Sequence, residues 1–245
     1  MAEKRIARGQ DLPGATKSAE ARHAGRRAAR AQKTGAVVDR RQFILLAASR
    51  RFAEFGFEAT TVRQIADEVN ILSGSLYHHF STKEAMLHEI VREPVMQMRD
   101  DALRIAALPL DAEQRLVALI SADLHRFTNQ HEAYAIAFNE RKFFRMNEDF
   151  HYIVAAKRDG YNAWREVLKQ GERDGLFDPK LDFQMMISTI IRILNTGADW
   201  YRNEDGGELG KATAYSLDQL LEFYLGIILR AVRAPHRVND PIVHP

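Results

Sequence analysis

The sequence predicts an all-α protein: an N-terminal unit of three helices in a helix-turn-helix arrangement, then a longer C-terminal helical part. Three observations carry this. Apolar residues recur at three-and-four spacing in segment after segment, and none alternates as a half-buried strand would. Capping-box spacing at Thr61–Gln64 and Ser81–Glu84 marks helix starts, while Asn, Gly and Pro mark the stops. The 245 residues are 46% hydrophobic, enough for a packed core. With no cysteine, disulfides and thiolate chemistry are ruled out, which suits a reducing cytoplasm. No run of about 18 apolar residues exists to span a membrane, and the N-terminus lacks the apolar stretch of a signal peptide.

Residues 1–38 hold nine lysines and arginines against three acids, a net +6, which leaves −4 for the rest of a chain whose total is +2. Ile6 and Leu12 are almost the only large apolar residues there, so this arm is expected to be disordered without a partner. Its basic residues, Arg22 to Lys33, either track phosphates or form a solubilising tail. The first core helix is expected from Asp39 to Gly56, with Ile44, Ala48 and Phe52 as its buried stripe, Leu45 and Phe55 alongside, and Gly56 as its stop.

The stretch from Thr60 to Glu84 then reads as two short helices about a tight turn and the start of another. Val62, Ile65, Ala66 and Val69 form the apolar face of the first, and Asn70 tolerates the left-handed turn. Ser73 is placed to cap a second helix over 74–80, whose Leu76 and Phe80 point inward. Helix, tight turn, helix is the geometry that sets a second helix in a DNA major groove. Ser73, Gly74 and Ser75 would let the backbone approach base edges, and Tyr77, His78 and His79 offer hydrogen bonds to phosphates or bases. Thr61, Val62 and Arg63, at the head of the first helix, are further candidates for DNA contact. Lys83 lies in the first turn of the next helix, where its ammonium and the free amides suit a phosphate. Arg41 either touches the DNA backbone or forms a solvated helix end.

A long helix over 82–107 carries Pro94, which removes one hydrogen bond and is expected to bend it. Further helices are expected near 111–129, 132–145, 149–173, 182–201 and 213–233, broken at Pro109, around Asn147, across Gly171–Gly175–Pro179, and at Gly206-Gly207. The last two carry more apolar face than one core needs, with Leu221 and Ile228 among it, which points to a two-fold interface. Phe127, Tyr134, Phe138, Trp164 and Met186 are candidates to line an apolar ligand cavity, though most such residues in helical proteins are core. Arg192, inside an apolar helix, needs either an acidic side chain or a ligand carboxylate or phosphate.

No constellation for catalysis appears. The nine histidines are scattered, with no His-Glu-x-x-His, no cysteine ligands and no phosphate-cradling glycine loop. Adjacent His78 and His79 point about 100° apart on a helix and cannot easily share a metal. No cofactor and no metal is expected.

Residues 41–90 resemble the TetR family of bacterial regulators. The likeness lies in Phe-x-x-x-Gly, Thr-Thr-Val-x-x-Ile-Ala and Leu-Tyr-x-His-Phe-x-x-Lys-Glu-x-x-Leu, with Asn70 where many relatives carry Gly. The resemblance implies a homodimer with a reading domain over 39–98 and a ligand-binding and dimerisation domain over 99–245. It also implies a double-stranded, palindromic DNA operator and a small-molecule effector that releases the protein. Ile71 to Phe80, and Asp199-Trp-Tyr-Arg202 ahead of Gly206-Gly207, are similar to the branch that represses steroid-ring catabolism and senses CoA thioesters. That likeness sets Ile191, not Arg192, at the branch's key arginine, and it implies an acyl-CoA effector. Two other readings stay open: a repressor of a transporter or drug-efflux gene sensing lipophilic compounds, and an architectural DNA-binding protein without ligand.

Overall fold

The structure is a computed structural model. It describes residues 40–201, 215–239 and 241, without the side chains of 197–201. The basic arm over 1–38, the Trp200 and Arg202 side chains and the Gly206-Gly207 loop lie outside the described residues. The chain divides into two compact units, Met1–Ile44 and Leu45–Pro245. Of the first, only residues 40–44 are described, the opening of helix α1 over 40–55.

All the described elements are helical: α2 (Val62–Glu68), α3 (Ser73–Leu76), α4 (Lys83–Ala106), α5 (Ala112–Asn129), α6 (His131–Asn139), α7 (Arg141–Met146), α8 (His151–Arg173), α9 (Phe183–Tyr201) and α10 (Leu217–Val232). The expected α1 stripe of Ile44, Ala48 and Phe52 is buried, but Phe55 is exposed. Gly56 ends α1 at φ +86, a conformation that costs glycine nothing. Capping boxes hold the starts of α2 (Thr61–Gln64), α5 (Asp111–Gln114) and α10 (Ser216–Gln219). The box expected at Ser81–Glu84 is displaced: Thr82 is the cap, accepting from the Ala85 amide at 3.0 Å.

α4 packs along α8 and against α5 and α6, while α5 packs against α8, α9 and α10. α4 continues as helix through Pro94, and the Tyr134 hydroxyl donates to the Pro94 carbonyl at 2.7 Å. The single helix expected over 132–145 is two, because the backbone leaves helical geometry at Glu140 (φ −86, ψ 32).

The end of α10 is fixed by a buried ion pair. Arg233 donates to both Glu113 carboxylate oxygens, at 2.8 and 2.6 Å, and to the Pro241 carbonyl at 3.0 Å. Its backbone pairs with Phe177 in an isolated antiparallel bridge.

Gly171 is not the helix stop that its position suggests. It lies buried inside α8, and a Cβ there would stand 2.0 Å from the Phe177 ring. The stop is Gly175, at φ +68. Because Phe177 is fully buried and cannot yield, Gly171→Ala is expected to cost about 1–3 kcal/mol of stability despite alanine's better helix propensity. Urea unfolding at fixed protein concentration measures it; an unchanged or raised midpoint would show that the ring moves freely.

Candidate nucleic-acid interface and ligand cavity

The reading motif is built by local bonds. Thr61 Oγ1 accepts from the Gln64 amide at 3.2 Å, and Gln64 Oε1 accepts from the Thr61 amide at 2.9 Å. Ile65 and Ala66 are fully buried, which fixes how α2 is rotated. The chain turns at Asn70, whose φ of 54 is left-handed, and the Ile71 amide returns to the Ala66 carbonyl at 3.0 Å.

α3 starts earlier and is shorter than expected. Its cap is Leu72, with no side-chain bond, so Ser73 is its first residue, and tight turns carry the chain on from Leu76 to Phe80. Leu76 and Phe80 are buried as expected. With these two inward, Gly74, Ser75, Tyr77 and His78 are exposed, and Ser73 and His79 are half-buried. Thr61 and Arg63 are exposed and Val62 half-buried. Arg63 stands 3.8 Å from Asp67, a loose pair on the helix surface. Arg41 is half-buried in α1. Leu72, which the sequence reading passed over, is 80% exposed beside these residues. Gly74 is not required by packing, since a Cβ there would meet nothing within 4 Å.

Lys83 is engaged differently from the phosphate contact expected of it. Its Nζ donates to the carbonyls of Phe57 (2.7 Å) and Thr60 (2.8 Å), with that of Glu58 at 3.5 Å, and sits 4.3 Å above the Phe57 ring. An ammonium has three protons to give, so these carbonyls occupy it and make Lys83 an anchor for the loop between α1 and α2. The same loop is held from the other side, where the Phe57 amide donates to Glu140 Oε1 at 2.8 Å.

The second half holds a cavity of about 250 Å³, open on one side, with Met98 of α4, Phe138 of α6, Lys157 and Trp164 of α8, and Ile191 and Arg192 of α9 in its wall. Of the residues expected there, Phe138, Trp164 and Arg192 line it. Phe127, Tyr134 and Met186 do not. Phe127 and Tyr134 are fully buried behind the wall, their rings 5.1 Å apart and Phe127 5.7 Å from Phe138. Met186 is half-buried on α9 away from the cavity.

Polar groups converge on this apolar space. Burial pushes the Asp123 carboxyl up to about 6, against the pull of Arg126 at 2.5 Å. Burial, and then Arg141, pull the Lys157 ammonium down to about 8. Arg192 is exposed at the rim, and among the described residues no acid pairs with it. Lys157 was legible in the sequence: it lies four residues after Ile153 and seven before Trp164, a charge beside the buried stripe of α8. Among the described residues, no helix is long and apolar enough to cross a membrane, and no cluster could hold a metal.

Residues 44–90 match the family described as bacterial regulatory proteins, tetR family, and residues 109–232 match the tetracyclin repressor-like C-terminal domain. The HTH-type transcriptional repressor KstR2 of Rhodococcus jostii (strain RHA1) is 34% identical over 206 residues, covering 84% of this chain and 97% of that protein. The structure of the ketosteroid transcriptional regulator KstR2 of Mycobacterium tuberculosis superposes with a TM-score of 0.69 at 31% identity, over 80% of this chain and 95% of that one. AibR, in complex with isovaleryl coenzyme A and operator DNA, shares the fold at a TM-score of 0.60 and 21% identity, over 77% and 97% of the two chains. The two matched segments, and a relative this similar over nearly its whole length, place the chain: it belongs to the TetR family of bacterial transcriptional regulators.

Proposed function

We propose that this regulator is a homodimeric repressor, acting in the cytoplasm and without catalysis, that reads a palindromic operator through α3 and lets go when an apolar CoA thioester fills its cavity. The observation that carries the reading is the pairing of two features in one chain. Exposed Gly74 and Ser75 of α3, and Tyr77 and His78 of the turns after it, are anchored by buried Leu76 and Phe80, and a part-apolar cavity with basic side chains stands beside α4. KstR2 is named as a ketosteroid regulator, which supports an effector with a compact alicyclic body. Effector sites of this kind usually hold about 300–1,000 Å³. At about 250 Å³ the cavity admits an acyl body, and the CoA nucleotide would lie outside it.

On DNA, Ser73, Gly74 and Ser75 approach base edges, while Thr61, Val62, Arg63, Tyr77, His78 and His79 contact phosphates and edges around them. Arg41 adds a backbone contact. The amides at the start of α4 remain for a phosphate, with Lys83 behind them. Leu72 suits a thymine methyl, the apolar feature of the major groove. Leu72→Ala is expected to lower affinity for DNA selected by the protein from a random pool about fivefold, the worth of about 1 kcal/mol of apolar contact, with the salt slope unchanged. Tyr77→Phe is expected to weaken all sequences alike. Competition titrations against scrambled DNA read both; an undiminished preference in Leu72→Ala would remove it from base reading.

Dimerisation is assigned to the outer faces of α9 and α10. Leu221 is half-buried and Ile228 buried within the subunit, so the apolar residues left outward are Met185, Phe223 and Ile227. Phe223→Arg with Ile227→Arg is expected to yield folded monomers in sedimentation; a folded variant that still sediments as a dimer would move the interface elsewhere.

A further inference from the structure

We propose that the effector's apolar body carries a carboxylate of its own, and that Lys157 and Arg141 seat it. This rests on reading the cavity as the effector site. Lys157 Nζ lies 4.3 Å above the Phe138 ring and gives one proton to the Ala137 carbonyl at 2.9 Å. Arg141 Nε donates to the Phe138 carbonyl at 2.9 Å. Both bonds end on carbonyls in the last turn of α6, and a cation there is favourable. Helix capping accounts for one donor of each residue. It leaves two Lys157 protons at the apolar wall and the outer fork of exposed Arg141 at the edge of the cavity, and among the described residues neither has an acidic partner.

A cation set in an apolar wall without a counter-ion is costly unless another anion joins it. The cavity's own carboxylate cannot serve, because Asp123 is held by Arg126. Position then decides which anion arrives. Lys157 stands among Met98, Phe138 and Trp164 in the apolar wall, where an anion carried on the apolar body meets it, while the phosphates of a CoA nucleotide suit the open side beside exposed Arg192. Burial, and then the neighbouring Arg141 charge, lower the pKa of Lys157, and an anion beside both would offset each of these. A planar carboxylate matches one ammonium proton and the parallel N–H pair of a guanidinium. Buried Asn195 Oδ1, which has no hydrogen-bond partner, faces the same cavity and would meet a donor elsewhere on that body.

Calorimetry on the full chain without DNA tests this with three probes: cyclohexanepropanoate, its primary amide, and its CoA thioester. The acid is expected to bind about tenfold more tightly than the amide, the worth of a charge-assisted hydrogen bond. Lys157→Met should abolish that preference while leaving amide and thioester affinities within about twofold. Arg141→Gln, at an exposed position that tolerates substitution, should cut the preference to about threefold and serves if Lys157→Met does not fold. Three results would each overturn the proposal: no preference for acid in the native protein, including failure of both probes to bind; a preference that survives the substitutions; or a thioester weakened as much as the acid, which would bring CoA phosphates to Lys157. Because no DNA is present, these results stand apart from failure of the repressor reading, which would show as operator binding that no effector changes.

Discussion

Phe57 is the residue through which the reading motif and the cavity are joined. Its amide donates to Glu140 at 2.8 Å, and its carbonyl accepts from Lys83 at 2.7 Å. Its ring lies 5.1 Å from Phe52 of α1 and 4.6 Å from Phe143 of α7, under the Lys83 ammonium. Both polar bonds are charge-assisted, worth about 1.5–3 kcal/mol each, and the amide is part-buried, so losing its carboxylate would leave a costly orphan. α1, the head of α4 and the α6–α7 junction therefore cannot shift independently of one another.

That constraint ties the cavity to α3. Glu140 lies between two cavity residues, Phe138 and Arg141. A body pressing on them acts on the junction where helical geometry is already broken, and so on the carboxylate that holds Phe57. From Phe57 the path runs through Lys83 to the start of α4, a few residues beyond α3. Two reading helices must stand roughly 34 Å apart to enter successive major grooves, so a small rotation of each subunit's motif is enough to spoil the fit. Coupling of this kind typically amounts to about 1–3 kcal/mol, comparable to one of the bonds at Phe57.

Sequence patterns captured what neighbours in the chain decide. Gly56 and Asn70 adopt the left-handed conformations their chemistry allows, and Thr61–Gln64 is the capping box its spacing describes. Leu76 and Phe80 are buried because i, i+4 spacing puts both on one face. Contacts set by distant partners were not legible. Nothing near Lys83 shows that the carbonyls of Phe57 and Thr60 will surround it, and the helix break at Glu140 answers an amide 83 residues away. Gly171 looks like a stop until Phe177 is found against it. Aromatics in the second half could be counted, but Tyr134 went to the Pro94 carbonyl and Phe127 behind the wall, since helical spacing gives a face without saying what it meets. The two basic anomalies differ in the same way. Arg192 has apolar neighbours in sequence yet stands exposed at the rim, while Lys157 is half-buried in the cavity wall.

The most direct test of the link through Phe57 is calorimetric titration of cyclohexanepropanoate into the free protein and into its complex with selected operator DNA, for the native chain and for Glu140→Ala. With the link intact, DNA should weaken the acid's binding by about 5–150-fold, and removing Glu140 should bring the two affinities within about twofold while binding to the free protein persists. The same DNA-dependent ratio in Glu140→Ala as in the native protein would contradict the account.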